Sequence, residues 1–462
     1  MKARKGSVWN RTAAALGGVV LLGASVALGA GFAGELDPTF GGTGVVEASG
    51  IPLAGAVAIQ QINGSERVLV AGQAAASTPT DPACWVVLAY RPDGSLDPTF
   101  GARGDGTVPL FETDTLSSYP YDISIDEQNR VVMGGVSKAH TVTTYGRKNK
   151  VTGTTDYVGL TVVRLTPDGR LDTSFNGTGI ATVWAGSPDG TYEVGTSAVA
   201  VPASLGGGVL ATGGGFYEQS PAKGRWPAVL NRRTFFAKFR DDGTLDTSFG
   251  TSGIAYDPRS SLPLRGSTRL QRDGRIVVAH HMDYAGGTTT AAYNWVISRF
   301  SATGQLDTTF ATGGRAISSG ANIRAAKVNP TDDSIVAVGE GSAVGGDGLV
   351  ARYLANGALD PAFGIDGYAP VTGWESGASS LAIQLDGRVV VCGHTLVGSV
   401  QHGLLVRFAW DGSPDASFGS AGTADPLPGA WWLGVAEAAE GIVVAGWAEP
   451  GSTYSHVARY GK

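Results

Sequence analysis

One short phrase returns seven times along the chain. It reads Leu36-Asp37-Pro38-Thr39-Phe40-Gly41, then Leu96 to Gly101, Leu171 to Asn176, Leu245 to Gly250, Leu306 to Ala311, Leu359 to Gly364 and Pro414 to Gly419. A length of 462 residues would by itself suggest about three domains. Repetition overrides that expectation, because units unable to bury their own apolar face must stack into one body. Glycine supplies 70 residues, about double the ordinary ~7%, while charged residues make up only 16%. Such a chain is rich in turns and poor in solvated helix faces, which points to an all-β protein.

Between the phrases a second pattern marks strands. Arg67 to Gly72, Arg130 to Gly135, Gly208 to Gly213, Arg275 to His280, Ser334 to Gly339, Arg388 to Gly393 and Gly441 to Gly446 are short, mostly β-branched apolar runs. Runs of this kind, bounded by turn residues, suit strands buried on both faces. Asp273-Gly274 and Asp386-Gly387 precede two of them and predict type I′ hairpins from an earlier strand such as Ser380 to Gln384. A third strand follows each run: Trp85 to Tyr90, Leu160 to Leu165, Phe235 to Phe239, Trp295 to Phe300, Leu349 to Tyr353, Leu404 to Phe408 and His456 to Tyr460. A further Gly-containing turn, for example Asp93-Gly94, then leads into the phrase, which is expected to form the fourth, outer strand.

Four strands in each of seven units describe a β-propeller. Residues 34 to 47 form a fourth strand without its first three, and Trp432 to Tyr460 supply three strands without a fourth, so the two ends together complete a seventh blade. The spaced phrase Leu-Asp-x-x-Phe-Gly-x-x-Gly resembles the delta-60 repeat of exported bacterial propeller proteins, with a strand order similar to NHL-type propellers. The resemblance covers residues 34–462 and implies the fold, but no activity. Pro414, Asn176 and Ala311 depart from its pattern.

Ahead of the repeats, Lys2, Arg4, Lys5 and Arg11 precede an apolar run from Ala13 to Ala30 and small residues around Ala33. This order describes a secretory signal over residues 1–33, cleaved near Ala33, the alternative being an uncleaved anchor. The expected destination is the periplasm, the outer surface or the extracellular space, with no membrane span after cleavage. A net charge of −6 gives no electrostatic case for nucleic acid. Cys84 and Cys392 fall in separate blades and are expected to stay unpaired.

Asp37, Asp97, Asp172, Asp246, Asp307, Asp360 and Asp415 occupy one column. Catalysis needs one constellation, whereas a residue present in every blade suits a structural role. A partner column is at hand in Arg164, Lys238, Arg299, Arg352, Arg407 and Arg459, with Ala89 the exception. The repeated Phe, from Phe40 to Phe418, reads as blade packing. His280 and His281 are adjacent on a strand and point to opposite faces, so they do not suit one metal ion. No metal or cofactor is expected.

The repeat is broken in two long connections, roughly His140 to Tyr157 and Tyr217 to Arg233, in neighbouring blades 2 and 3. Tyr145, Arg147, Lys148, Lys150 and Tyr157 lie in the first, and Lys223, Arg225 and Trp226 in the second. Trp374 and Trp431 join them from blade crossovers on the same face. Basic residues interleaved with aromatics suit an acidic glycan or an acidic protein surface. The expectation is a monomeric, non-enzymatic recognition or scaffold module. The alternative is a carbohydrate-active lyase or hydrolase with its site at the channel mouth.

Overall fold

The computed structural model describes residues 32–74, 83–113, 120–145, 151–185, 197–219, 230–259, 261–282, 295–318, 321–341, 348–371, 377–449 and 452–462. A lone strand, β1 (Val45–Ser49), opens it. Blade 1 is β2 (Leu53–Ile62), β3 (Ser65–Gln73), β4 (Ala83–Tyr90) and β5 (Thr107–Thr113). Blade 2 is β6 (Pro120–Ile125), β7 (Val131–Tyr145), β8 (Val151–Leu165) and β9 (Ile180–Ala185). Blade 3 is β10 (Ser197–Ala200), β11 (Val209–Gln219), β12 (Leu230–Phe239) and β13 (Ile254–Tyr256). Blade 4 is β14 (Ser261–Leu270), β15 (Ile276–Met282), β16 (Trp295–Phe300) and β17 (Arg315–Ser318). Blade 5 is β18 (Ala321–Val328), β19 (Ile335–Gly341), β20 (Gly348–Tyr353) and β21 (Tyr368–Val371). Blade 6 is β22 (Ala378–Ile383), β23 (Val389–Val397), β24 (Val400–Phe408) and β25 (Leu427–Pro428). Blade 7 is β26 (Trp431–Glu437), β27 (Ile442–Trp447), β28 (Tyr454–Tyr460) and, from the other end of the chain, β1.

These seven antiparallel sheets form a seven-bladed β-propeller. First strands of successive blades contact one another in a closed circuit around a central channel. Second and third strands are buried on both faces because each blade packs its β-branched residues against both neighbours. The cluster containing Val338, Val350, Phe363, Val389, Val391 and Phe408, for example, straddles blades 5 and 6.

Closure is made in backbone. Strand β1 pairs with β28 from Val45↔Ala458 to Ser49↔Tyr454. Every seam also carries one hydrogen bond from the residue after the repeated Phe to the next blade's turn: Gly41 N–H to the Asp93 carbonyl at 2.8 Å, Gly101 to Asp168 at 2.7 Å, Gly364 to Asp411 at 2.7 Å. At the last seam Gly419 donates to Ala33 at 2.8 Å, so the chain's start supplies the turn that blade 7 would otherwise lack.

Three expectations need correction. The repeated phrase is not the outer strand but the turn ahead of it, so the outer strand is Val45–Ser49 and shares only residues 45–47 with the expected 34 to 47. The cause is the Asp, whose carboxylate accepts the N–H two residues on, as Thr39 donates to Asp37 at 3.0 Å. This local bond competes with ladder pairing and winds the phrase into turns. Leu alone keeps a bridge to the third strand, as in Leu96↔Tyr90.

The Asp-Gly hairpins are not type I′, because φ is positive at Gly274 and Gly387 but not at the preceding Asp. Gly387 N–H instead donates to the Gln384 carbonyl at 2.9 Å, a type I turn closed by a left-handed glycine. Asn63-Gly64 in blade 1, with φ of 52° and 78°, is the I′ turn.

The described parts of the long connections of blades 2 and 3 are strand. Pairing of β7 with β8 runs from Val131↔Leu165 out to Tyr145↔Val151, and β11 with β12 from Val209↔Phe239 to Gln219↔Leu230. Their β-branched and aromatic residues, such as Thr141-Val142-Thr143-Thr144-Tyr145, favour this pleated form. Strands of 15 residues exceed the usual 3–10. Among the described residues no helix is long and apolar enough to cross a membrane.

Candidate functional site

The acidic column is consumed at the blade seams. Arg459 Nε meets Asp37 at 2.8 Å, and Arg164 meets Asp172 at 2.7 Å. Arg299 meets Asp307 at 2.9 Å, Arg352 meets Asp360 at 2.8 Å and Arg407 meets Asp415 at 2.8 Å. Lys238 reaches Asp246 at 3.3 Å. Each of the five guanidiniums also lies over the repeated Phe, from 4.5 Å for Arg407 on Phe418 to 5.2 Å for Arg459 on Phe40.

The exception at Ala89 is filled from the adjacent strand. Arg67, on β3, places Nε on Asp97 at 2.7 Å, Nη2 on the Thr99 hydroxyl at 2.9 Å and Nη1 on the Pro167 carbonyl of the next blade at 3.0 Å. Arg459 makes the equivalent contacts to Asp37, Thr39 and Pro92. Burial pushes these carboxyls upward, but hydroxyl, amide and guanidinium donors, or for Asp246 the Ser248 hydroxyl and the Lys238 ammonium, outweigh it. Asp37, Asp97, Asp172, Asp246, Asp307 and Asp415 therefore lie below the ordinary carboxylate value.

The seam between blades 3 and 4 differs. Lys238 is too short to bridge to blade 4, and a cleft of about 50 Å³ lies there, lined by Leu205, Lys238, Phe249, Leu270, Ile276 and Ala302 among others. A separate tie compensates for it. Buried Asp257, just past β13, pairs with Arg315 on β17; Arg315 Nη1 donates to Ser298 Oγ at 2.6 Å, and Ser298 meets His280 Nε2 at 2.6 Å. His280 is thus part of a packing network. His280 and His281 pair with Val296 and Trp295, and no group of three potential metal ligands occurs among the described residues.

Of the candidate recognition residues, Arg147, Lys148, Lys150, Lys223, Arg225, Trp226 and Trp374 lie outside the described residues. Tyr145 and Tyr157 lie on the long hairpin of blade 2, paired with Val151 and His140. Trp431 sits at the channel mouth, where the structure gathers residues the sequence reading did not single out. They share a column, the residue after the second-strand Gly: Gln73, Glu340, His394 and Trp447. That column is chemically variable while the position before it is Gly in every blade but the fourth, where it is His280, which is the signal that marks it.

Blades 5 to 7 form the richest part of this rim. Trp431 on β26 lies against His394 on β23 with ring centroids at 3.9 Å, and against Trp447 on β27 at 5.1 Å. Arg324 occupies a bulge in β18, where the ladder shifts register between Ile323 and Ala325, and its Nη2 pairs with Glu340 at 2.7 Å. Bulges of this kind re-aim a side chain out of the ladder. Gly377 makes room for that pair, because a Cβ there would overlap the Glu340 carboxylate. Burial holds the His394 pKa down at about 4, with Glu340 and Arg324 close enough to act on it in opposite directions.

Deeper in the channel Asp122 accepts from Ser197 Oγ at 2.5 Å and from Arg269 Nη1 at 3.1 Å. Lys327, on the neighbouring strand β18, is desolvated and further repelled by Arg269, which lowers its pKa to about 7. Cys84 and Cys392 are not joined in a disulfide, and burial pushes the Cys392 pKa up.

Residues 151–175, 331–363 and 384–418 match a family described as a domain of unknown function forming a β-propeller. No curated protein matches the chain. Among solved structures, Chaetomium thermophilum Sqt1 is similar at 13% identity and TM-score 0.39, over 90% of this chain and 98% of that one. Polysaccharide lyase Uly1 is similar at 9% identity and TM-score 0.42, over 89% of this chain and 90% of that one. A Trypanosoma rangeli sialidase is similar at 10% identity and TM-score 0.37, over 89% of this chain and 55% of that one.

Proposed function

We propose that this chain is an exported, non-enzymatic propeller that works as a recognition module through the face carrying its second-to-third strand hairpins. The observation that carries this reading is the hairpin of blade 2, whose paired residues extend to Tyr145↔Val151 while the equivalent ladder of blade 5 ends at Glu340↔Gly348. The extra nine residues per strand amount to roughly 30 Å of ladder at about 3.3 Å per residue. A ring made rigid by seam ion pairs is a suitable platform for such an arm. Arg147, Lys148 and Lys150, which follow β7 in sequence, with Lys223 and Arg225, which follow β11, favour an acidic glycan or an acidic protein surface. Export is supported by the basic and apolar order of residues 1–33.

The test compares wild type with a chain in which residues 138–158 are replaced by a two-residue turn, using heparin and polyglutamate surfaces as acidic probes. Binding by wild type and its loss in the shortened chain, with an unchanged melting profile, supports the reading. Equal binding by both chains refutes it.

The placement of Glu340 and His394 at the same position on the second strands of neighbouring blades 5 and 6 favours a second reading, a carbohydrate-active enzyme at the channel mouth. Glu340, oriented by its ion pair to Arg324, would be the proton-transfer group of such a site. New reducing ends from a polysaccharide panel, lost in Glu340→Gln, would establish that reading over the first.

A further inference from the structure

We propose that the channel mouth across blades 5 to 7 binds a neutral sugar unit, at a site separate from the long hairpins. A sugar presents an apolar C–H face and a rim of hydroxyls that both donate and accept. The rim of blades 5 to 7 offers the complement of each. Trp431 and Trp447 are half-buried indoles, held edge to face, and the His394 ring backs Trp431. An indole of this kind supplies an apolar platform at low conformational cost.

Two buried polar atoms in the same stack have no hydrogen-bond partner among the described residues: Trp431 Nε1, a donor, and His394 Nδ1. His394 is only 7% exposed. A buried polar group left unpaired costs about 1–3 kcal/mol, so neighbouring orphans mark a place where a hydroxyl-bearing ligand would be rewarded. Glu340 and Arg324 add an acceptor and donors on the channel side, and their salt bridge fixes both at once. The geometry is preset, since Gly377 leaves the space in which the Glu340 carboxylate rests.

Charge selects the class of sugar. The Arg324 guanidinium and Glu340 carboxylate cancel, and His394 is neutral near pH 7. Exposed Glu449, lying beside Gly429 on the same side of blade 7, tips the rim negative. A uronate or sulfated sugar would meet repulsion here.

The experiment is tryptophan fluorescence and calorimetric titration of the full chain with cellohexaose, maltohexaose and mannohexaose, with hexagalacturonate as the acidic probe. At least one neutral hexamer is expected to bind saturably and to change indole emission. Glu340→Gln and Gly377→Ala, the second displacing the carboxylate without touching an aromatic, should each weaken binding about tenfold or more, which is about 1.4 kcal/mol. Both variants should keep the wild-type circular dichroism, and shortening the blade 2 hairpin should leave sugar binding unchanged. The proposal is overturned by no binding of any neutral hexamer at millimolar concentration, by tighter binding of hexagalacturonate, or by full binding in well-folded Glu340→Gln and Gly377→Ala.

Discussion

Arg67 substitutes for the missing arginine at Ala89, and this makes a direct test of what the repeat does. Arg67→Ala removes a guanidinium whose side chain is 5% exposed and leaves Asp97, at 10%, without its close partner. Breaking a buried pair by removing one member costs about 3–5 kcal/mol. Arg91, 3.7 Å from Asp97 but half in solvent, offsets a little of that, so the low end, about 3 kcal/mol, is expected. Ala89 pairs with Leu69 just as Arg459 pairs with Val443 and Arg352 with Val336, so an arginine placed there starts from the position the other blades use. Arg67→Ala combined with Ala89→Arg should therefore recover about 2 kcal/mol or more of the loss. Guanidinium denaturation of wild type, both single variants and the double variant reads the cycle. A cost for Arg67→Ala within about 0.5 kcal/mol of zero, the range of an ordinary surface change, would refute the reasoning, as would a double variant no more stable than Arg67→Ala.

Lys238→Arg should raise stability by about 1 kcal/mol, because the longer side chain fills part of the cleft against Ala302 and gains a seam hydrogen bond; an unchanged denaturation midpoint counts against it. The seam carboxyls have folded values below the ordinary carboxylate value of 3.8, so the unfolded chain binds protons first as pH falls. Their contribution is complete above that value and is lost progressively below it, which a melting series from pH 6 to pH 2 should show as a steep decline beginning near pH 4. His394 behaves in the same direction for a different reason: its folded value of about 4 lies below the ordinary 6.5, so stability falls as pH drops between them, and His394→Gln should flatten that part of the series.

Much of the architecture is legible in the residues. The apolar runs at Arg67 to Gly72 and its counterparts mark the second strands, and the split between residues 34–47 and the last unit marks the closed ring. The phrase itself misleads because its alternation of Leu, Thr and Phe mimics a strand, while the Asp that breaks the ladder does so through a side-chain bond to its own backbone. Arg67 escaped notice because it reaches Asp97 across strands, a contact that aligning one column does not show; the recurrence of Arg at Arg130, Arg275 and Arg388 was the available hint. The hairpins of blades 2 and 3 read as loops because they lie beyond the repeat, although the Thr- and Val-rich composition of the blade 2 hairpin argued for strand. The mouth residues were hardest to see. Glu340, His394 and Trp431 come from three blades, and only the ring brings them to one rim.

The central claim is that the ends of the chain lock into one blade through the same pair that joins the others. Asp37 and Arg459, 422 residues apart in sequence, meet at 2.8 Å with exposures of 0% and 2%. A double-mutant cycle with Asp37→Asn and Arg459→Met, read by chemical denaturation, measures their coupling directly. The account predicts a coupling of about 2–3 kcal/mol, with the double variant more stable than the sum of the single losses. Additive losses, with a coupling near zero, would contradict it.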